Sequence, residues 1–165
     1  MQNGQGTDRK KSGASALALL SAAAATPLAA VPAGVGAGVE TGATVTVQVT
    51  NMRNTDGVVR ACMTRDEGRF PRCQGAAHSY RVVIPAGEAA TLRFTDVAAG
   101  TYAIALLHDE NGNGRADRAL GMMPKEGFGF SRDAPVRMGP PDFADAAITV
   151  GTAPVRQTIR MRYML

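Results

Sequence analysis

The segment GTYAIALLHDENGNG, residues 100–114, is the strongest indication of the fold that we expect for this chain. From Tyr102 to His108, apolar residues occupy both faces of an alternating pattern, which predicts a central strand covered on two sides. Gly100 stands two residues before Tyr102, as in the tyrosine corner of β-sandwiches, where the phenol bonds back to the backbone slightly upstream. Simple burial of a large side chain is the alternative, and both interpretations place Tyr102 in the core.

Six further segments around this strand have the alternation or the apolar character of strands. They are Thr44–Thr50, Val59–Met63, Tyr80–Ile84, Thr91–Thr95, Ala146–Val150 and Val155–Tyr163. Turn residues separate them, and no helix is indicated outside the N-terminal region. Strands without helices favour an all-β fold, a single antiparallel Greek-key β-sandwich of about seven strands.

The N-terminal region has the order of an export signal. Arg9, Lys10 and Lys11 precede an apolar, alanine-rich run at residues 14–25, and small residues follow. This order predicts a signal peptide over residues 1–33, with cleavage between Ala25 and Ala33 and a periplasmic or secreted product. A disordered tail or a short anchor is the alternative.

Two more regions follow from this assignment. Residues 34–43 are rich in glycine and alanine and predict a flexible leader, and residues 44–165 form the sandwich domain. The apolar run is well short of the ~20 residues that span a bilayer, so the mature chain has no expected transmembrane segment.

The charge balance excludes a strongly basic protein. The whole chain has a net charge of +4, and removal of residues 1–33 takes away three basic residues and one acidic residue, which leaves +2. Such a weak field makes a nucleic-acid partner a poor expectation.

Cys62 and Cys73 are the two cysteines of the chain. In an oxidising compartment we expect them to form a disulfide that pins the segment between them to its strand. A thiol pair for metal or redox chemistry is the alternative, but the CxxC spacing of such sites is absent.

The residues after His108 are spaced like a calcium loop. Asp109, Asn111, Asn113, Arg115 and Asp117 fall at positions 1, 3, 5, 7 and 9, with Gly114 at the turn and Arg115 contributing its carbonyl. Position 12 is Leu120 rather than glutamate, so Glu126 or Asp133 would complete the shell. Such a site is expected to bind weakly, with Kd on the order of 10⁻⁴–10⁻³ M. A turn that merely favours positive φ at its glycines is the alternative.

The connection from Asp109 to Ala144 is long and rich in glycine and proline. Its rings Phe128, Phe130 and Phe143 need burial, so we expect an ordered loop folded over one end or edge of the sandwich.

Other chemistry is less well supported. A hydrolase would use His108 or His78 with Ser79 or Ser131, but Asp109 adjoins His108 on an extended strand and points to the opposite face, and no GxSxG motif occurs. An enzyme built around His108 and Glu126 is a further alternative. Zinc is disfavoured because the two histidines lack ligand spacing. Several outward arginines offer a basic sheet face for an anionic polymer, or else a solvated surface: Arg81, Arg93, Arg156, Arg160 and Arg162.

Two blocks, HDENGNG at residues 108–114 and PKEGFGFS at residues 124–131, carry a resemblance, together with Ala99–Tyr102 and Gly139–Pro141. In these residues the chain resembles small exported bacterial proteins grouped as domain-of-unknown-function family 2141, over about Thr44 to Tyr163. The resemblance implies export, one β-sandwich, no assigned activity, and a common site or folded lid for the two blocks. It also makes Glu126 the preferred distant ligand.

A looser similarity links the chain to prealbumin-like and carboxypeptidase-regulatory sandwiches of immunoglobulin-like architecture, and it concerns the fold alone. Taken together, we expect an exported, non-enzymatic β-sandwich module with an envelope-accessory or binding role, whose Asp109–Asp117 loop is held by calcium or by its own hydrogen bonds. The alternative is a module that binds an anionic or saccharide ligand through the long loop and the arginine face.

Overall fold

Ten strands, one α-helical turn and three 3₁₀ turns make up the regular structure of the computed structural model, which describes residues 42–89, 91–119 and 123–165. The 3₁₀ turns are Glu67–Arg69, Ala86–Glu88 and Ser131–Asp133. The strands are β1 (Ala43–Thr50), β2 (Val58–Thr64), β3 (Ser79–Pro85), β4 (Thr91–Val97), β5 (Gly100–Asp109), β6 (Arg118–Ala119), β7 (Met123–Pro124), β8 (Gly127–Phe130), β9 (Ala147–Val150) and β10 (Val155–Arg160). The helical turn is α1 (Phe143–Ala146). The predicted signal peptide at residues 1–33 and the leader up to residue 41 lie outside the described residues.

Two sheets form the sandwich, which confirms the all-β prediction. The three-stranded sheet has the order β10-β1-β4, and the five-stranded sheet has the order β3-β2-β5-β8, with β9 beside the first half of β5. β6 and β7 form a separate two-stranded hairpin. β5 is central, as its two apolar faces predict.

One ladder departs from the antiparallel prediction, because β1 and β10 run parallel from the Val45–Val155 pair to the Thr50–Arg160 pair. The chain crosses from one sheet to the other between β9 and β10, so β10 does not form a hairpin with the strand before it. Alternation within a strand shows which face is buried and carries no information on the direction of its neighbour.

The main core lies between the two sheets. The inward residues of β1 are Val45, Val47 and Val49, and they share one apolar cluster with Tyr102 and Ile104 of β5. Full burial of such side chains stabilises a fold by ~1.5–3 kcal/mol each.

Tyr102 adopts the tyrosine-corner arrangement. Its hydroxyl donates a hydrogen bond of 2.8 Å to the carbonyl of Ala98, four residues upstream, while the residue as a whole has no exposed surface. Burial raises the pKa of this phenol, so it remains a neutral donor. The bond fastens the crossing from β4 to β5 where the chain changes sheets.

A second apolar cluster covers the outer face of β5. Phe70 packs edge-on against Phe130 at 5.8 Å and against Phe143 at 6.0 Å between ring centroids, with Ala103 and Ala105 of β5 beneath. The second half of the long connection therefore lies on a sheet face rather than over an end or edge. It also contributes β8, which pairs with β5.

The predicted disulfide is present and joins Cys62 of β2 to Cys73, with a Cα–Cα distance of 6.2 Å. Cys73 is fully buried, and its carbonyl accepts a hydrogen bond from the Arg81 side chain. The bridge holds the connection between β2 and β3 against the sheet, near the second apolar cluster to which Phe70 belongs.

Candidate functional site

The candidate site lies where β5 ends and β8 begins. Antiparallel pairing places His108 opposite Gly127, which sets Asp109 and Glu126 at the same end of the five-stranded sheet. The loop after Asp109 and the β6–β7 hairpin fill the interval between these two residues. The two sequence blocks that suggested a common site are thus adjacent in space.

The side chain of Asp109 is buried at this end of the sheet and does not reach its surface. Its carboxylate has no exposed surface and accepts hydrogen bonds from Arg60 Nε (2.6 Å), the Gly114 amide (2.8 Å) and the Asn113 amide (3.0 Å). Burial alone would raise the pKa of Asp109, but these hydrogen bonds outweigh it and hold the pKa below the usual range. Asp109 therefore shapes the loop from within.

The loop's amides converge on one carboxylate oxygen. Asn111 and Asn113 both donate from Nδ2 to Oδ2 of Asp117, at 2.8 and 2.9 Å. Gly112 and Gly114 have φ of +68° and +79°, the left-handed conformation that glycine adopts without strain. The side-chain oxygens are engaged as well, because Oδ1 of Asn111 accepts from the Asn113 amide at 3.1 Å and Oδ1 of Asn113 accepts from the Arg115 amide. These contacts fit a self-supporting turn.

Arg115, the residue predicted to contribute its carbonyl, is exposed. Its backbone amide donates to Oδ1 of Asn113 at 2.8 Å, which closes a further turn of the loop. Leu120 falls outside the described residues, and Asp133 pairs with Arg162 at 2.7 Å instead of approaching this loop.

Glu126 has an incompletely satisfied carboxylate. The residue is only 4% exposed; Oε2 accepts from the Asp117 amide at 3.1 Å, and Oε1 is buried with no hydrogen-bond partner among the described residues. Burial raises the pKa of Glu126, the Asp117 amide opposes this, and the charges of Asp109, Asp117 and Glu110 raise it further. A buried carboxylate oxygen without a donor is costly, so this position favours a proton or a cation.

Glu110 has partners that sequence reasoning missed. Arg53 donates from Nε to its Oε1 at 2.7 Å and binds Oε2 through Nη2, and Asn54 donates to Oε1 at 2.6 Å. The hydrogen bond from Arg53 lowers the pKa of Glu110 against the opposing effect of burial. The NMRNTDG turn, residues 51–57, shows no local signal of this pairing, because its partner lies in a distant segment.

The loop borders an open depression of about 460 Å³. Four oxygen-bearing side chains line one part of it, and two basic side chains and the last residue line the rest: Glu110, Asn111, Asp117, Glu126, Arg53, Lys125 and Leu165. In the described part of the chain, no three histidine, cysteine, aspartate or glutamate side chains gather closely enough to hold a metal by themselves. A cation here would need amide and backbone oxygens as well, which calcium accepts.

His108 is not part of an open catalytic cleft. It has no exposed surface, and its ring nitrogens contact the Tyr163 hydroxyl and the Asp56 carbonyl, both at 2.8 Å. Because a carbonyl only accepts, Nε2 donates to Asp56, and Nδ1 hydrogen-bonds to the Tyr163 hydroxyl. Both nitrogens are therefore occupied structurally, which argues against the His108 and Glu126 pair as a catalytic unit.

The five arginines predicted to share a face are divided. Arg93, Arg156 and Arg160 project from the three-stranded sheet, whereas Arg162 pairs with Asp133 and Arg81 binds the Cys73 carbonyl. The arginine face thus consists of three residues on one sheet.

A protein-family model described as an uncharacterized protein conserved in bacteria (DUF2141) matches residues 47–158. The match covers more than half of the chain, so the chain belongs to this family. Neither a curated protein nor a solved structure matches the chain. Across the described residues, no helix has the length and apolar character needed to cross a membrane.

Proposed function

We propose that this member of the DUF2141 family is an exported, non-enzymatic β-sandwich module whose β5–β8 end binds a calcium ion and so fixes the Asp109–Glu126 loop. Its role is that of an envelope-accessory or binding protein, in which the ion stabilises structure and takes no part in a reaction. The carrying observation is the buried Oε1 of Glu126, which has no hydrogen-bond partner among the described residues.

The donor chemistry supports calcium rather than zinc. Asp117 and Glu126 contribute carboxylates, and Asn111 and Asn113 contribute amide oxygens once the ion replaces the backbone amides of Asn113 and Arg115 that these oxygens accept in the metal-free loop. The carbonyl of Arg115 is a further oxygen donor on the same loop. Calcium binds six to eight oxygens in irregular geometry, whereas structural zinc prefers nitrogen and sulfur ligands in a tetrahedron.

Asp109 has a supporting role in this proposal. Its oxygens accept from Arg60 and from the amides of Asn113 and Gly114, so it positions the loop. With only Asp117 and Glu126 as charged ligands, affinity is expected in the weak extracellular range, with Kd on the order of 10⁻⁴–10⁻³ M.

Thermal melting of the full chain tests the proposal. At a calcium concentration ten times Kd, a ligand that binds only the folded state adds about 1.4 kcal/mol to the free energy of unfolding, which raises Tm by a few degrees. Glu126→Gln should abolish the shift, and Glu67→Gln, an exposed glutamate in another connection, should retain it. Magnesium and a sodium salt of equal ionic strength separate specific binding from screening.

Two results would count against the proposal. An unchanged Tm at calcium concentrations well above this range would leave the Asn–Gly turn as a loop held by its own hydrogen bonds. A calcium shift that persists in Glu126→Gln would place the ion elsewhere. Export is tested separately by N-terminal sequencing of the secreted chain, with cleavage expected between Ala25 and Ala33.

A further inference from the structure

Hydroxyl, amide and guanidinium side chains form the outer face of the three-stranded sheet up to Asp96, an exposed carboxylate at the β4 bulge that bounds the face. Strand alternation directs these residues away from the core, and eight of the ten are exposed, Thr44 and Thr46 being half-buried. They are Thr44, Thr46, Gln48 and Thr50 on β1, Thr91, Arg93 and Thr95 on β4, and Arg156, Thr158 and Arg160 on β10. We call these ten residues the Arg–Thr face.

The register arranges the Arg–Thr face in rows. Thr46 lies between Arg156 on one side and Arg93 on the other, so the two arginines are two strand spacings apart, about 10 Å. Arg160 follows Arg156 by four residues on β10, about 13 Å along the strand, and lies beside Thr50. The Cα atoms of the three arginines therefore mark the corners of a triangle, with threonines between them.

The charge on this face is not neutralised by the protein. Arg53, Arg60 and Arg162 each form an ion pair, whereas Arg93, Arg156 and Arg160 form none with the described residues. None of the ten positions is a carboxylate; Asp96 lies beyond Thr95 at the end of β4. An exposed set of arginines without counter-charges attracts anionic groups.

The two outer faces of the sandwich also differ in packing. The second apolar cluster lies on the face of β5 and β8, where Phe130 and Ala103 are buried. The side chains of the Arg–Thr face have no such cover among the described residues and remain largely open to solvent. The outer face of one sheet is thus covered by the second apolar cluster, and the outer face of the other is a solvent-exposed polar surface.

We propose that the Arg–Thr face binds a linear polysaccharide that carries carboxylate groups. A guanidinium presents a planar fork that pairs bidentately with a carboxylate, and separated arginines engage charges repeated along an extended chain. Threonine hydroxyls and the Gln48 amide donate and accept hydrogen bonds, which suits the neutral hydroxyls between those charges.

Other polyanionic partners fit the Arg–Thr face less well. Single-stranded nucleic acid is bound by aromatic rings that stack on its bases, and none of the ten residues is aromatic. Insertion into a membrane surface requires large apolar side chains next to the basic ones, and the face has none. The hydroxyl-rich composition therefore favours a glycan.

Affinity electrophoresis of the full chain in gels containing polygalacturonate provides the test, with neutral dextran and single-stranded DNA as the other matrices. EDTA in the buffer removes calcium, so the result does not depend on the cation site of the other sheet. We expect retardation by polygalacturonate alone. The combined variant Arg93→Gln, Arg156→Gln, Arg160→Gln should weaken binding by about tenfold or more.

A second triple variant removes the same charge elsewhere. Arg72, Arg118 and Arg137 are exposed, lie outside the Arg–Thr face and form no ion pair with the described residues, so their replacement by glutamine should change affinity by less than about threefold. Unchanged Tm values would show that both triple variants fold. Equal losses in the two triples, no retardation by polygalacturonate, or stronger retardation by DNA would overturn the proposal.

Discussion

The carboxylate of Asp109 and the guanidinium of Arg60 meet at 2.6 Å, although Asp109 has no exposed surface and Arg60 is about one-third exposed. The two residues lie on neighbouring strands, β5 and β2, at the end of the sheet where the calcium-like loop begins. A buried carboxylate persists only where its charge is compensated, so this pair, with the amides of Asn113 and Gly114, determines where the loop starts.

We predict that Asp109→Asn lowers the free energy of unfolding by about 2 kcal/mol or more, because an amide group would face donors that now bind a carboxylate. Urea unfolding measures the difference. Asp133→Asn is the control, since its pair with Arg162 is solvent-exposed and its loss should cost less than about 1 kcal/mol. Similar values for the two variants would contradict a structural role for the Asp109 pair.

Asp109 should also make the stability of the fold sensitive to acid. Its pKa in the folded state lies below the unfolded value of about 3.9. The stability that the charged group contributes is therefore present above about pH 4 and is lost as the pH falls through the folded pKa. Across this acidic range, Tm should decrease less with falling pH for Asp109→Asn than for the wild type. Equal decreases in Tm for the two proteins would refute the linkage.

Glu126 should behave in the opposite way. Burial and the neighbouring carboxylates raise its pKa above the unfolded value, so in metal-free protein its charged form costs stability at neutral pH, and the cost disappears as the pH drops below the folded pKa. We predict that Glu126→Gln in EDTA is at least as stable as the wild type at neutral pH. This advantage should shrink toward about pH 4. A Tm that is clearly lower than that of the wild type at neutral pH would show that the charged Glu126 stabilises the metal-free fold.

Gly127 is required by the close approach of Tyr163. A Cβ at residue 127 would lie 2.6 Å from Cζ of the Tyr163 ring, the ring whose hydroxyl binds His108. We predict that Gly127→Ala destabilises the protein by about 2 kcal/mol through overpacking. Gly139→Ala, which meets no atom within 4 Å in the described structure, should lie within about 0.5 kcal/mol of the wild type. Equal Tm values for the two variants would exclude the steric requirement.

The Cys62–Cys73 bridge closes a loop with a sequence separation of 11. In the chain-entropy account, opening it should reduce stability by about 3 kcal/mol. Comparison of the wild type with the Cys62→Ala, Cys73→Ala double variant by urea unfolding measures the effect. Thiol titration of unfolded, unreduced wild type should detect no free cysteine, and two reactive thiols would show that the bridge does not form in solution.

Local sequence patterns predict much of the fold. Alternation located all seven predicted strands, the spacing of Gly100 and Tyr102 indicated the corner, and the two cysteines indicated the bridge. These features depend on residues that lie close in sequence or on a choice with few options. Strand β8 lies in a segment that the sequence predicts as a loop, because Gly127 and Gly129 interrupt the pattern that usually marks a strand.

The sequence predicts only part of the candidate site. The Asp109–Asp117 spacing and Glu126 were identifiable from residue types alone, but Arg60, Arg53 and Asn54 were not, because their contacts connect distant segments of the chain. The residue types of the Arg–Thr face are also apparent from the sequence. Their side-by-side arrangement, however, depends on the parallel register between β1 and β10, which the sequence of neither strand indicates.

Local sequence patterns predict the buried apolar faces of the strands and the positions of several turns, because side-chain chemistry and backbone freedom act over a few neighbouring residues. The pairing of charges is apparent from the tertiary structure alone, as is the burial of Asp109. The same holds for the buried Glu126 oxygen, which has no partner among the described residues, and for the three arginines that share one sheet. The reason is that strand register and layer packing bring together groups whose separation along the chain carries no local signal.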